Sequence, residues 1–438
     1  MIFFDRARET DTLKTIQQQS LKHAQFTVLT GRRRIGKTSL VLHAYKEIPF
    51  LYFFVSKKAE TALCEDYQQE IITKLGVPLL GKVSRFADIF DYIMQIAKQQ
   101  PITLFIDEFQ EFLRINASIY SDMQRIWDLH KNEVRINLIV GGSVQSLIHK
   151  IFESNKEPLY NRQTAIIRVN KFPPSVLKEI LAYHNPNYTQ DDLLALYSFT
   201  GGVAKYVELL MDKGATTRSK MIETIVQADS IFLSEGKNLL IEEFGKDYGI
   251  YFSILTAIAS GHTQRSQIED MIGKEIGGHL TMLEDSYGII HKHKPLFTTK
   301  NSNIHYRLND NFLTFWFRFL FKYNHMLEIE AFDALRQIIE RDYETFSGKM
   351  LEQYFKEKLA EQQQFTRIDS WWSRNGESEI DIIAINEINK EAIFYEVKRQ
   401  SKDIDLSLLE QRSKDFLVAT RQLKRYAISH CGLSMQDM

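Results

Sequence analysis

The sequence predicts an α/β multidomain protein whose first part is built on a parallel sheet, and three observations predict it. A glycine loop, Gly31-Arg32-Arg33-Arg34-Ile35-Gly36-Lys37-Thr38-Ser39, fits the spacing GxxxxGK(S/T). It lies between an apolar, β-branched run, Phe26-Thr27-Val28-Leu29-Thr30, and a helical pattern from Ser39 to Glu47. Strand-like and helix-like patterns then alternate over residues 1–170, which argues for a parallel sheet with helices on both faces. The chain has 438 residues, enough for two to four domains at roughly 100–200 residues each.

Composition excludes several classes. An apolar content of 44% and a charged content of 25% are those of an ordinary soluble globular protein. Lys+Arg 55 against Asp+Glu 56 leaves a net charge of -1, so overall charge names no partner. The two cysteines, Cys64 and Cys431, offer neither a disulfide framework nor zinc spacing, which fits a reducing cytosol and a cytoplasmic location. The start, Met1-Ile2-Phe3-Phe4-Asp5-Arg6, turns charged too soon for a signal peptide. The most apolar run, Phe312 to Phe321, is interrupted by Arg318 and is too short to span a membrane, so no membrane partner is expected.

The glycine loop has a physical reading. Glycines let the backbone curl so that successive N–H groups face one anion, and the following helix start adds partial positive charge. Lys37 is expected to reach the β- and γ-phosphates of ATP, and the Thr38 hydroxyl to ligate Mg²⁺. Further strands are predicted over Phe50–Val55, Ile102–Glu108, Arg135–Val140 and Thr164–Val169, with helices near 60–75, 85–99 and 119–132. The strand Ile102-Thr103-Leu104-Phe105-Ile106-Asp107-Glu108 carries two carboxylates to the carboxyl edge of the sheet, where ligands of open α/β sheets bind. In the same sheet as a phosphate loop, Asp107 is expected to hold Mg²⁺ through its water shell and Glu108 to polarise the attacking water.

On the arginine-rich loop and on Asp107-Glu108-Phe109-Gln110, residues 1–240 resemble the archaeal-type ATPases of the AAA+/STAND group of P-loop NTPases. The resemblance implies an ATPase core over 1–170, with an extra strand between the two Walker strands that ends in a polar sensor residue. Gly141-Gly142-Ser143 gives that role to Ser143, with a helix N-cap as the alternative. Leu159-Tyr160-Asn161-Arg162 resembles the group's LYGR-like stretch, with Asn161 in place of glycine. Arg162 would then sense the γ-phosphate, or else form a surface salt bridge. Residues 171–240 read as a helical lid, opened by Pro173-Pro174, with helices over Ser175–His184 and Gln190–Phe199. Thr200-Gly201-Gly202-Val203-Ala204-Lys205-Tyr206 resembles the group's GGxP turn against the adenine base, with Ala204 where proline is usual.

Residues 245–325 resemble a winged helix. Tyr248–Ala259, Thr263–Ile272 and Gly278–Asp285 supply its helices, Gly288–Lys294 and Ile304–Leu308 its wing strands, and Asn301-Ser302-Asn303 the tip. Between Gly288 and His325, Lys292, Lys294, Lys300, Arg307, Arg318 and Lys322 face one acid, Asp310, a local net charge of +5 that suits contact with a DNA backbone. Glu284 and Asp285 on the third helix repel phosphate, and the alternative is an intramolecular or protein docking module. The aromatic run Phe312–Phe321 reads as packing.

The last segment, 345–438, combines an amphipathic helix over Glu344–Gln362, Trp371-Trp372 ahead of Gly376, and strands over Ile380–Ile385 and Ala392–Lys398. Two further helical patterns follow, one carrying Arg412, Lys414, Arg421, Lys424 and Arg425. The segment resembles the restriction-endonuclease-like PD-(D/E)XK fold, an α/β nuclease-like domain. A hairpin symmetric about the turn Asn386–Glu391 would oppose Asp381 to Glu396, Ile383 to Phe394, Ile385 to Ala392, and Lys398 to Glu379. Opposed carboxylates repel and are costly to bury unpaired. A divalent cation between Asp381 and Glu396 removes both problems, with Lys398 on the face of Glu396 to orient or activate a water. By the resemblance, Glu352 on the preceding helix is a third metal ligand. The alternative is an edge hairpin with salt bridges Lys398–Glu379 and Arg374–Glu377 and no metal. The expectation is an ATP-hydrolysing switch coupled to DNA binding and Mg²⁺-dependent DNA cleavage. Its alternative is an ATP-gated regulator or scaffold with a non-catalytic nuclease-like domain.

Overall fold

The structure, a computed structural model, describes residues 3–77, 81–244, 248–298, 304–373, 376–420 and 422–438. It resolves into two compact units, Asp5–Asn170, and Met1–Phe4 with Lys171–Met438. Lys300, the tip Asn301-Ser302-Asn303, Arg374 and Arg421 lie outside the described residues.

The unit Asp5–Asn170 runs α1 (Ala7–Ser20), β1 (Gln25–Thr30), α2 (Lys37–Ala44), β2 (Leu51–Phe54), α3 (Glu60–Leu75), α4 (Phe86–Gln99), β3 (Ile102–Asp107), α5 (Phe112–Ile115), α6 (Ser118–His130), β4 (Ile136–Gly142), α7 (Gln145–Glu153) and β5 (Ala165–Arg168). The five strands are parallel in the order β2-β3-β4-β1-β5. Every residue of β3 and β4 is buried, which is why both read as unbroken apolar runs rather than alternating ones. β4 lies between β1 and β3, the arrangement that the resemblance implies. Helix α1 was not anticipated. It buries only Thr10, Leu13, Ile16 and Ser20, too thin and too polar a stripe to stand out in the sequence.

The second unit begins with α8 (Pro174–His184), α9 (Gln190–Thr200), α10 (Ala204–Asp212), α11 (Arg218–Ile225) and α12 (Ile231–Phe244). Thr189 and Asp192 form a reciprocal cap at the start of α9. Gly202 has φ +72°, and a Cβ there would stand 2.4 Å from the Phe172 carbonyl oxygen, so the turn needs glycine. Ala204 is the first residue of α10, a position that proline and alanine both suit, so the turn survives the lost proline.

Next come α13 (Tyr248–Ala259), α14 (Arg265–Ile272), α15 (Gly277–Thr281), β6 (Ile290–His293) and β7 (His305–Leu308), with β6 and β7 antiparallel. Then follow α16 (Asn311–Phe315), α17 (Asn324–Glu328) and α18 (Phe332–Glu361). The aromatic run is core: Phe312, Phe315, Phe317 and Leu320 are fully buried. Helix α18 starts at Phe332 rather than Glu344, because Leu335, Ile339 and Tyr343 extend its buried stripe toward the N-terminus.

The chain closes with β8 (Arg367–Trp372), β9 (Glu379–Asn386), β10 (Glu391–Lys398), α19 (Leu406–Ala419) and β11 (Ala427–Ser434), in a sheet ordered β11-β10-β9-β8. The second helical pattern expected after α19 is instead strand β11. It pairs parallel to β10 from Glu391↔Ala427 to Lys398↔Ser434, a long-range pairing that overrides its weak local signal. The β9–β10 hairpin keeps the expected register from Asn386↔Glu391 to Ile382↔Tyr395, including Ile383↔Phe394 and Ile385↔Ala392. The ladder ends there. Against β8, β9 carries one extra residue between Ile383 and Ile380, paired with Asp369 and Trp371. This bulge breaks the two-residue alternation that the symmetric hairpin assumes. The ladder between β9 and β10 includes neither Asp381 with Glu396 nor Glu379 with Lys398.

Candidate functional site

The phosphate loop leaves β1 at Thr30 and enters α2 at Lys37. Gly31 has φ +150°, and a Cβ there would lie 2.5 Å from the Val169 carbonyl oxygen, so no other residue fits. Lys37 is only 6% exposed. Its Nζ donates to the carbonyls of Gly31 at 2.8 Å and Arg32 at 3.1 Å. Burial lowers its pKa to about 8, with the charges of Glu108 and Asp107 opposing that shift. Arg32, Arg33, Arg34, Ile35, Gly36 and Ser39 complete the segment, with Ile35 turned into the core.

Thr38 Oγ1 donates to Asp107 Oδ2 at 2.6 Å, bringing together the two expected Mg²⁺ ligands. Tyr52, on β2, donates to the same oxygen at 3.3 Å, and burial together with the Asp107 charge pushes its phenol well above its usual range. Tyr52 was not singled out from the sequence; its signal is a lone hydroxyl in an apolar strand. Glu108 lies just beyond β3 with φ +54°, a conformation a non-glycine residue rarely holds away from functional or strained sites. Its Oε2 accepts from Ser143 Oγ at 2.7 Å and Gln110 Nε2 at 2.5 Å. Ser143, just past β4, thus meets Glu108. Val144, not Ser143, occupies the N-cap position of α7.

Arg162 is in the salt-bridge alternative, 3.2 Å from Asp128 and donating to the Tyr160 carbonyl at 2.8 Å. The preceding Asn161 has φ +55°, which asparagine tolerates better than most residues, and so it can stand where glycine is usual.

The residues fit a magnesium nucleotide. A hydroxyl and a carboxylate meet at 2.6 Å, and the buried ammonium of Lys37 rests on loop carbonyls rather than on a carboxylate.

In the C-terminal sheet, Lys398 Nζ lies 3.2 Å from Glu396 Oε1 and 3.8 Å from Asp381 Oδ2. Asp381 Oδ2 also accepts from the Val397 N–H at 2.8 Å, at the end of the ladder. Burial raises the Asp381 pKa, against the pull of the Val397 N–H and Lys398. Glu396 is 3% exposed; its Oε2 accepts from the Asp405 N–H at 2.7 Å, and Arg412 lies 3.7 Å from its Oε1. Burial and the charge of Asp381 push the Glu352 carboxyl up to about 7. Among the described residues, no three His, Cys, Asp or Glu side chains form a group that could hold a metal ion. Asp381, Glu396 and Glu352 do not make such a group of three: Glu396 binds Lys398, Arg412 and the Asp405 N–H, while Glu352, on α18, feels the charge of Asp381. Of the edge-hairpin alternative, the Lys398–Glu379 bridge is replaced, since Lys398 reaches Glu396 and Asp381, and the Arg374–Glu377 bridge falls outside the described residues.

Residues 3–210 match a family described as an ATPase domain predominantly from Archaea. Residues 316–418 match a family of archaeal and bacterial proteins of unknown function. An uncharacterized protein of Methanocaldococcus jannaschii is 28% identical over 416 residues, 92% of this chain and 89% of that protein. A Walker-type ATPase of Pyrococcus abyssi has a TM-score of 0.54 at 19% identity, covering 72% of this chain and 96% of that one. The ORC2 protein of Aeropyrum pernix, solved in ADPNP–ADP complexes, has a TM-score of 0.50 at 16% identity, covering 77% and 96%. The two solved structures share the fold, and the part of the chain that carries the phosphate loop is the part that matches the archaeal ATPase domain family. Among the described residues, no helix is long and apolar enough to cross a membrane.

Proposed function

We propose that the chain is a cytoplasmic ATP-hydrolysing switch whose second unit binds DNA and cleaves it with a divalent cation. The ATPase half rests on the junction of Thr38, Asp107, Glu108 and Ser143. Lys37 holds the β- and γ-phosphates, and Thr38 and Asp107 hold the cation. Glu108, aimed by Ser143 and Gln110, takes a proton from the attacking water. Magnesium, when bound, supplies charge neutralisation at the phosphates. The Aeropyrum protein was solved with ADPNP and ADP, and adenine nucleotides are the ligands proposed here.

DNA binding is supported by three helices followed by an antiparallel pair, α13, α14, α15, β6 and β7, in the order of a winged helix. Lys292 pairs with Glu284 at 2.5 Å, which removes part of the repulsion the third helix would exert on phosphate. A protein partner on this module or on the C-terminal sheet is the alternative occupant.

Cleavage rests on one observation: the ammonium of Lys398 lies within 4 Å of both Asp381 and Glu396 where the hairpin ladder ends. Asp381 and Glu396 are the ligands proposed for a divalent cation, with Lys398 orienting the water. Supercoiled plasmid incubated with the full chain and Mg²⁺ or Mn²⁺ is the test. The expected result is nicking that falls by at least about 100-fold in Asp381→Ala and in Lys398→Ala, the scale of losing one charge-stabilising group. Nicking that survives both substitutions sinks the assignment. The regulator reading is favoured by a different observation: Glu396 already receives Lys398, Arg412 and the Asp405 N–H. It predicts no metal-dependent cleavage by pure protein.

A further inference from the structure

The second unit contains a cavity of about 450 Å³ that belongs to neither site described above. It opens between the β6–β7 hairpin, the end of α13, the segment after α16, and α18. Its volume is that of a pocket for one nucleotide-sized molecule.

The charge on its wall is one-sided. Arg307 from β7, Arg318 from the segment after α16, Lys349 from α18 and Lys171 all line it. The one acidic residue of the lining, Glu357, already binds Lys171 at 2.6 Å. Among the described residues, no carboxylate lies within salt-bridge distance of Arg307, Arg318 or Lys349, and Arg318 Nη1 donates to the Ala259 carbonyl at 3.4 Å. Arg318 Nε is, in addition, a buried donor with no hydrogen-bond acceptor. Native proteins seldom leave such a donor unfilled, and three cations around one space repel each other, with Glu352 near Arg307 and Asp342 near Arg318 offsetting only part of that. An anion with at least two negative charges resolves both, and guanidinium forks suit phosphate oxygens. Ile258, Leu308, Phe346 and Met350 give the wall an apolar part that a ring or hydrocarbon body can cover, beside polar groups such as Thr263, Asn309, Asn311 and Gln353.

We infer that this cavity binds a small phosphorylated ligand of the nucleoside bisphosphate class, separate from the nucleotide held by the phosphate loop. The ligand's phosphates sit among Arg307, Arg318 and Lys349, and its ring lies against Phe346 and Met350. Because the cations come from β7, the segment after α16 and α18, a bound ligand ties the hairpin to the long helix, and occupancy stabilises the unit by mass action.

The test uses the full chain with its phosphate loop first saturated with Mg–ADP. Inorganic pyrophosphate and adenosine 3′,5′-bisphosphate are then titrated by calorimetry at moderate salt. One additional site is expected, with the bisphosphate bound at least about tenfold more tightly than pyrophosphate because of its apolar contact. Arg307→Ala and Lys349→Ala are each expected to weaken bisphosphate binding by about tenfold or more, the loss of one charge-assisted contact. Lys220→Ala, a residue that does not line the cavity, is expected to leave it unchanged. Unfolding midpoints of both variants within a degree or two of wild type exclude a folding defect. Absence of a second site, or equal binding in the Arg307, Lys349 and Lys220 variants, overturns the inference. Pyrophosphate bound as tightly as the bisphosphate overturns the nucleoside part of it. Competition of a short DNA duplex with pyrophosphate, without any binding of the bisphosphate, assigns the cavity to DNA backbone and overturns the small-ligand reading.

Discussion

Lys37 and Lys398 are both lysines beside two carboxylates, yet their surroundings differ in kind. Lys37 donates to two loop carbonyls, while the carboxylates of Asp107 and Glu108 are held by the hydroxyls of Thr38 and Ser143. Cation and anions are kept apart, and burial lowers the lysine pKa to about 8. Lys398 instead spends its charge on Glu396 and Asp381, and Arg412 adds to the same carboxylate. In the first site, the lysine and the carboxylates are each held by neutral groups and not by each other. The second is largely neutralised from within, so any metal there competes with an ammonium. A site organised for an external ligand stores its cost in the empty protein; a site that pairs with itself stores stability.

The largest expected effect breaks that contrast directly. Lys37→Met should lower ATP affinity by at least about 100-fold, on the order of 3 kcal/mol, in a fluorescent-nucleotide titration. The nucleotide-free protein should melt no lower than wild type, because a costly buried ammonium is gone. Lys398→Met should do the opposite, lowering stability by about 1–2 kcal/mol in urea unfolding because the buried Glu396 loses a partner, with ATP affinity unchanged. Equal stability losses in the two variants would remove the distinction between the sites.

A second test sharpens how the second unit handles charge. His293 Nε2 lies 3.2 Å from Asp369, its Nδ1 is buried without a partner, and burial lowers its pKa to about 4. In the unfolded chain it titrates near 6.5. The unfolded state therefore takes up the proton first, and the stability this residue contributes above pH 6.5 is lost as pH falls toward 4. Between pH 6.5 and 4.5 the loss should be about 2–3 kcal/mol. His293→Gln should flatten that stretch of the urea-midpoint profile; an unchanged slope would place the titration elsewhere.

The smallest effect concerns the hairpin. Replacing Lys292, Lys294 and Lys300 with alanine should weaken DNA binding by about threefold to tenfold and flatten its salt dependence. The effect is small because Lys292 is already engaged by Glu284. Binding with an unaltered salt slope would favour a docking module for protein.

The contrast between the two sites also explains what could be read in the sequence. The phosphate loop is contiguous, so its spacing carries its geometry. Asp107 and Glu108 follow because an apolar strand in a parallel sheet has a defined carboxyl edge. Tyr52 stayed hidden because it reaches Asp107 only through the pairing of β2 with β3. In the C-terminal sheet the hairpin register was legible as far as Ile382 and Tyr395, since the turn and the apolar alternation fix it. The bulge in β9 was not, because it depends on β8, whose signal is two tryptophans and little else. Strand β11 was missed for the same reason: its partner β10 lies across a helix in sequence, and residues such as Ser429, His430 and Gly432 do not announce a strand.

The ATPase assignment stands most directly on Glu108. It predicts that Glu108→Gln binds Mg–ATP within about threefold of wild type but turns it over at least about 100-fold more slowly, because the amide keeps the hydrogen bonds but cannot take the proton. Steady-state phosphate release measured beside nucleotide affinity decides it. Turnover equal to wild type at unchanged affinity would contradict the assignment of the site.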